Sequence, residues 1–186
     1  MANLILNGST SGSVTLSSPA VSGTTTLTLP TTSGTVITTG STFAGTGPAF
    51  SVYTNASQTL TSATNTKIQF NTEDYDTNNN FDSTTNYRFT PTVAGYYQLN
   101  VQLSYDSTIS ISRTIIYLYK NGSAIQKMVD ISTNAPNITS TTLLYFNGTT
   151  DYVEIYGYVS GTGTLTVGGA SYDKQARFNG FLARAA

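Results

Sequence analysis

Five oxygen-bearing side chains recur at alternate positions in the stretch DYDTNNNFD: Asp74, Asp76, Asn78, Asn80 and Asp82. Oxygen ligands at positions 1, 3, 5, 7 and 9 are the pattern with which an EF-hand loop surrounds calcium. That chemistry also needs a glycine at position 6 for the sharp turn and a bidentate glutamate at position 12. Here those positions hold Asn79 and Thr85, and the flanking TKIQFN and YRFTP are β-rich rather than helical. The stretch therefore predicts a turn or loop with an acidic edge.

A second chemistry open to carboxylates is glycoside hydrolysis, in which two carboxyl groups face each other about 5–9.5 Å apart across a cleft. Glu73 with Asp74, or Asp151 with Glu154, are the pairs this sequence offers. Asp151 also reads as a turn residue and Glu154 as an exposed strand position. Histidine and cysteine are both absent. Their absence removes the commonest general base, the commonest metal ligands and every Ser-His-Asp or Cys-His arrangement. The sequence therefore points away from an enzyme.

Composition narrows the partners. Charged residues make up 9% of 186, with a net charge of -1, so no basic field exists to hold nucleic acid or anionic lipid. No run approaches the roughly 20 apolar residues needed to span a bilayer, so no membrane insertion is expected. MANLILNG lacks the positive start and long apolar stretch of a signal peptide, which predicts folding in the cytoplasm where the chain is made. A 38% hydrophobic content with thirteen tyrosines still supplies a core.

The elements that must position these residues divide into two parts. Residues 1–47 are rich in Ser, Thr and Gly: GSVTLSSPAV, TTTLTLP and GTVITTG each alternate apolar and hydroxyl residues and end at Pro or Gly. Val14/Leu16, Leu27/Leu29 and Val36/Ile37 supply too little apolar surface for a core of their own, so an extended β segment that relies on partners is expected. Residues 48–186 read as an all-β domain. In GYYQLNVQLSYD, Tyr97, Leu99, Val101, Leu103 and Tyr105 fall on one face, against Gln98, Asn100, Gln102 and Ser104 on the other. Asn121-Gly122 and Asn147-Gly148 each signal a tight turn between two strands. Many short strands separated by turns predict a sandwich, jelly roll or barrel. DYVEIYGYV carries Val153, Ile155 and Val159 on one side and Tyr152, Tyr156 and Tyr158 on the other, so a symmetric oligomer is expected to cover the second face.

The strands from GPAFSVYT (47–54) to RFNGFLA (177–183) resemble the globular head of the complement C1q and tumour-necrosis-factor superfamily. The resemblance rests on Ala49-Phe50-Ser51, Asn78 to Asp82, Arg88 to Tyr97, Thr150 to Val153 and Phe178 to Leu182, in register over the C-terminal part. Thr150 stands where glycine is usual and Leu99 where an aromatic is common, and no collagen-like Gly-x-y stalk is present. The resemblance implies an all-β jelly-roll sandwich that forms homotrimers. It places Phe50, Tyr97, Leu99, Tyr145, Tyr156, Phe178 and Phe181 in core or trimer interface, with the final strand beside the first. In this fold Phe81 should pack inward and Asp82 should fix its turn through backbone hydrogen bonds. No cofactor is implied, and Glu73, Asp74 and Asp76 are the candidates for a weak calcium site.

GSVTLSSPAVSGTTTLTLPTTSGTVITTG is similar to a short module of bacteriophage fibre and other virion proteins. The two resemblances together imply a homotrimeric virion protein, a tail or head fibre or knob assembled in the host cytoplasm. Residues 1–47 would dock on other phage virion proteins. The head, 48–186, would meet a host-surface glycan or outer-membrane component through loops 54–65, 71–86, 107–112 and 130–140. A capsid decoration or cement protein is the architectural alternative, and a glycan-degrading enzyme the remaining one.

Overall fold

The computed structural model describes residues 4–7, 9–17, 23–24, 26, 31, 47–105, 110–169 and 176–186, in two compact units, Met1–Thr39 and Gly40–Ala186. In the first unit β1 (Leu4–Asn7) and β2 (Ser13–Leu16) form an antiparallel hairpin. Leu4 lies opposite Leu16 and Leu6 opposite Val14, so the period of two puts all four on one face. Each is more than half exposed. The alternation of Val14 and Leu16 predicts β2, whereas the three apolar residues Leu4–Leu6 are too few to show alternation and give no sequence signal for β1. The expected strands at Leu27/Leu29 and Val36/Ile37 lie outside the described residues.

In the second unit every regular element among the described residues is a strand. The short first half holds β3 (Ala49–Tyr53), β4 (Gln58–Thr59), β5 (Thr66–Lys67), β6 (Thr72–Asp76), β7 (Phe81–Asp82) and β8 (Arg88–Phe89). Longer strands follow: β9 (Gly95–Ser104), β10 (Ser110–Lys120), β11 (Ser123–Ile131), β12 (Asn137–Phe146) and β13 (Val153–Thr162). The unit closes with β14 (Thr166–Val167) and β15 (Arg177–Ala185). One sheet runs β12-β9-β15-β3-β6; the other runs β11-β10-β13-β8-β7, with β5 also on β13. All pairings are antiparallel, and the last strand lies between the first long strand, β9, and β3.

The core between these sheets is aromatic at one end. Phe50 stacks on Phe89 with centroids 4.1 Å apart and meets Phe178 edge-on at 4.9 Å, while Tyr97 sits edge-on to Phe89 at 5.5 Å and to Phe146 at 5.4 Å. All five are fully or almost fully buried, and burying each such side chain stabilises by roughly 1.5–3 kcal/mol. The predicted face of β9 is the buried one: Tyr97, Leu99, Val101, Leu103 and Tyr105 all enter the core. Asn121 and Gly122 take φ of 53° and 79°, the double left-handed conformation that a two-residue hairpin needs, and join β10 to β11.

Asn147-Gly148 does something else. It was expected to join two paired strands, but β12 pairs with β9 and β13 with β10, in different sheets. The Asn147 side-chain carbonyl accepts the amides of Thr149, Thr150 and Asp151, each at 3.0 Å. That cap turns the chain out of one sheet and into the other. Gly148, at φ 72°, has backbone of Ala94 2.4 Å from where a Cβ would stand. Among the described residues no helix is long and apolar enough to cross a membrane.

Candidate functional site

The acidic loop satisfies itself. Asp76 accepts the Phe81 amide at 2.6 Å and the Asn78 amide at 3.3 Å. Asp82 accepts the amides of Thr84, Thr85 and Asn86 at 2.9–3.1 Å. The Thr85 amide foremost, and the other donors with it, hold the Asp82 carboxyl well below the ordinary carboxylate range. Phe81 is buried above this turn. Both features are as the sequence implied.

The three calcium candidates do not converge. Glu73 accepts from Ser83 at 2.7 Å, Asp74 accepts from Ser51 and pairs with Arg177 at 3.4 Å, and Asp76 is turned back into its own loop. Among the described residues no three acidic side chains come together as a metal site would require. A depression of about 450 Å3 beside the loop is lined by Glu73, Asn80, Asp82, Ser83, Arg88 and Thr92.

The second carboxylate pair is also committed to structure. Asp151 binds Lys120 at 2.8 Å and Asn121 at 2.8 Å and accepts the Asn147 amide, and Lys120 in particular lowers its pKa. Glu154 is not the exposed strand residue that alternation predicted: it is 5% exposed and held by Lys67 at 2.5 Å. Its side chain points outward from the sheet, but Tyr156 and Lys67 close over it.

Of the candidate core or interface residues, Phe50, Tyr97, Leu99 and Phe178 are buried in the core. Burial pushes the Tyr97 phenol up to about 12, while its hydroxyl donates to the Val93 carbonyl at 2.8 Å. Tyr145 and Phe181, in contrast, stand 41% and 50% exposed on the outer face of the β12-β9-β15-β3-β6 sheet. There Tyr145 lies opposite Tyr96, and the next row of that face runs Leu143, Gln98, Phe181. Rows further along are polar: Gln98 donates to Thr141, Thr141 to Asn100 at 2.7 Å, and Asn100 to Asn179 at 2.9 Å. The face thus has one apolar end and one hydrogen-bonded end.

Tyr156 lies on the opposite sheet. On that sheet's outer face it stacks on Tyr119 with centroids 3.9 Å apart. Tyr117, Tyr152 and Tyr158 share the face, all partly exposed. Cations sit over four of these rings: Arg88 over Tyr152 at 4.3 Å, Lys127 over Tyr117 at 5.8 Å, Arg113 over Tyr158 at 5.9 Å and Lys67 over Tyr156 at 6.0 Å. Sequence reasoning found the tyrosines of β13 and missed the cations, which come from β5, β8, β10 and β11 and have no shared spacing. Of the loops expected to bind, 54–65, 71–86 and 130–140 are described, and 107–109 lie outside the described residues.

Two antiparallel sheets, closed face to face over one aromatic core with the last strand inserted between the first and third of its sheet, define a jelly-roll sandwich. The family model of the C1q domain matches residues 49–183, and the chain belongs to that family. Among solved structures it is similar to the globular domain of zebrafish complement 1qA protein, at 21% identity and a TM-score of 0.50 over 75% of this chain and 99% of that one. It is also similar to rabbit GITRL, at 11% identity and a TM-score of 0.46 over 75% and 96% of the two chains, and to murine APRIL, at 11% and 0.47 over 73% and 97%. No curated protein matches the chain.

Proposed function

We propose that this protein is a homotrimeric virion appendage of a bacteriophage, a fibre or knob whose C1q-like head meets the host surface and whose N-terminal segment docks on other virion proteins. The observation that carries the trimer is the apolar end of the five-stranded sheet, where Tyr96, Leu143, Tyr145 and Phe181 stand exposed together. A contiguous apolar patch on an otherwise polar surface marks an interaction site, and rotation of one patch covers every copy. Homotrimers are typical of the family. The hairpin β1–β2 supports docking in the same way, since Leu4, Leu6, Val14 and Leu16 form an apolar face whose side chains stand more than half exposed.

The virion assignment draws its support from the likeness of residues 12–40 to phage fibre modules and from the chain's lack of cysteine. Adhesion would then work by multivalency: three weak sites on a rigid knob, and several knobs on a particle, raise effective affinity without new contacts. Imaging particles from producing cells with an antibody against the head tests the assignment. Label on an appendage supports it, label spread over the capsid favours a decoration role, and purified particles free of the protein overturn it.

A further inference from the structure

We propose that the outer face of the six-stranded sheet binds an anionic polysaccharide, its tyrosine rings stacking on sugar faces and its cations pairing with the sugar acids. The inference rests on the adhesion part of the reading above and moves the binding surface from the loops to a sheet.

The face is built in rows by the register of β10 and β13. Tyr117 lies opposite both Tyr156 and Lys127, with Lys67 beyond Tyr156. The neighbouring row pairs Ile115 with Tyr158 and with Asp130. Ile115 is 1% exposed yet does not belong to the core between the sheets, so the side chains around it form a layer thick enough to bury it from outside. Glu154 is buried in the same layer. The rings are thus held in place before any ligand arrives, which lowers the ordering cost of binding.

Charge selects the ligand. Four of the chain's eight basic residues lie on this one face, Lys67, Arg88, Arg113 and Lys127, against three acids, Glu154, Asp130 and Asp82, which leaves an excess of +1 on a chain whose total is -1. Arg113 and Lys127 share the single carboxylate of Asp130, at 2.7 and 2.8 Å. Arg88 has the Tyr152 ring beneath it and Asp82 opposite it on β7, whose carboxylate accepts the amides of Thr84, Thr85 and Asn86. A cation poised over an aromatic ring suits a ligand that presents an apolar sugar face and an acid together. A folded protein partner would want an interface centre depleted of charge, and here Lys67, Arg113 and Lys127 cap the rings across the face.

The test uses the full chain and titrates it with polygalacturonate, with the fully methyl-esterified polymer and with poly-L-glutamate, at low and moderate salt. The expected result is binding to polygalacturonate that weakens with salt and is lost on esterification, with poly-L-glutamate much weaker. Tyr158→Ala and Lys127→Gln should each weaken binding about tenfold, and Tyr158→Phe should restore most of it. Thr61→Ala and Asn134→Ala, in loops, should leave it unchanged. Lys127 is exposed at a strand edge, so its variant keeps the test open if Tyr158→Ala fails to fold. Absence of polygalacturonate binding, equal binding of the esterified polymer or of poly-L-glutamate, or loss confined to the loop variants would each overturn the proposal. Sedimentation of the same samples counts subunits independently, so a failed titration with intact trimers leaves the trimer and particle readings standing.

Discussion

Phe181→Ser separates folding from assembly within one strand. Phe178, three residues earlier, points into the core and is 1% exposed, whereas Phe181 points outward and is 50% exposed in the single subunit. Burial of a phenylalanine side chain contributes roughly 1.5–3 kcal/mol, so the half still open in one subunit is worth about 0.7–1.5 kcal/mol when a neighbouring copy covers it. Three copies lose roughly 2–4.5 kcal/mol of trimer stability together, about 30- to 2000-fold in the dissociation constant. The folded subunit should lose about 0.7–1.5 kcal/mol, the worth of the half it already buries, which leaves a cooperative fold. Sedimentation equilibrium over a concentration series should show trimers for the natural sequence and a marked shift to monomers for the variant, with cooperative thermal melting kept. A variant that stays trimeric with an unchanged dissociation constant would refute the use of this face. One that loses its cooperative melt would refute the division of β15 into an inward and an outward side.

Gly148→Ala should destabilise the head by more than 2 kcal/mol in denaturant melts, because a left-handed φ of 72° combines with backbone 2.4 Å from the new Cβ. The Asp82 carboxyl is depressed on folding, so the stability it contributes is present above its unfolded pKa of about 3.9 and is lost as the pH falls through the lower folded value. Asp82→Asn should therefore flatten the acid limb of a stability-against-pH curve below about pH 4, measured by urea melts. Tyr97 has the opposite sign: its phenol is raised to about 12 by burial, so its contribution is complete below the unfolded value of about 10 and disappears as the pH rises through 12. Spectrophotometric titration should show a late group of phenols whose ionisation coincides with alkaline unfolding, and Tyr97→Phe should diminish that group.

How much of this was legible in the sequence depended on whether one strand could carry the signal alone. β9 was readable because Tyr97, Leu99, Val101 and Leu103, with Tyr105 just past its end, alternate with polar residues and turn one face to the core. The Asn121-Gly122 hairpin was readable because the turn type dictates its residues. Asn147-Gly148 has the same letters, but its fate is decided by the Asn147 cap and by which strand lies beside β12, neither of which is local. Glu154 misled for a related reason. Outward alternation means exposure only when the outer layer is thin, and the Tyr119–Tyr156 stack makes it thick. The acidic loop was readable as a loop, while the divergence of Glu73, Asp74 and Asp76 follows from a register shift between β3 and β6 that no spacing rule gives.

The tyrosines of β13 show the same limit at the level of function. Apolar groups on both sides of one strand imply that something covers the second side, and from the sequence a second copy of the chain is the simplest cover. The structure puts those tyrosines beneath Lys67, Arg88 and Arg113, on the sheet whose outer face carries the positive excess. Copies of such a face brought together would have to desolvate its four cations and three carboxylates at once, a cost that their mutual pairing does not fully repay. The apolar end of the five-stranded sheet carries fewer charges: Arg184 lies opposite Tyr96 beside Leu143, Tyr145 and Phe181, Lys120 over the Tyr145 ring is paired with Asp151, and Arg177 lies in a separate row paired with Asp74. Electrostatics therefore assigns the two outer faces to different partners: the apolar end to copies of the chain, and the cation-capped rings to a ligand of opposite charge.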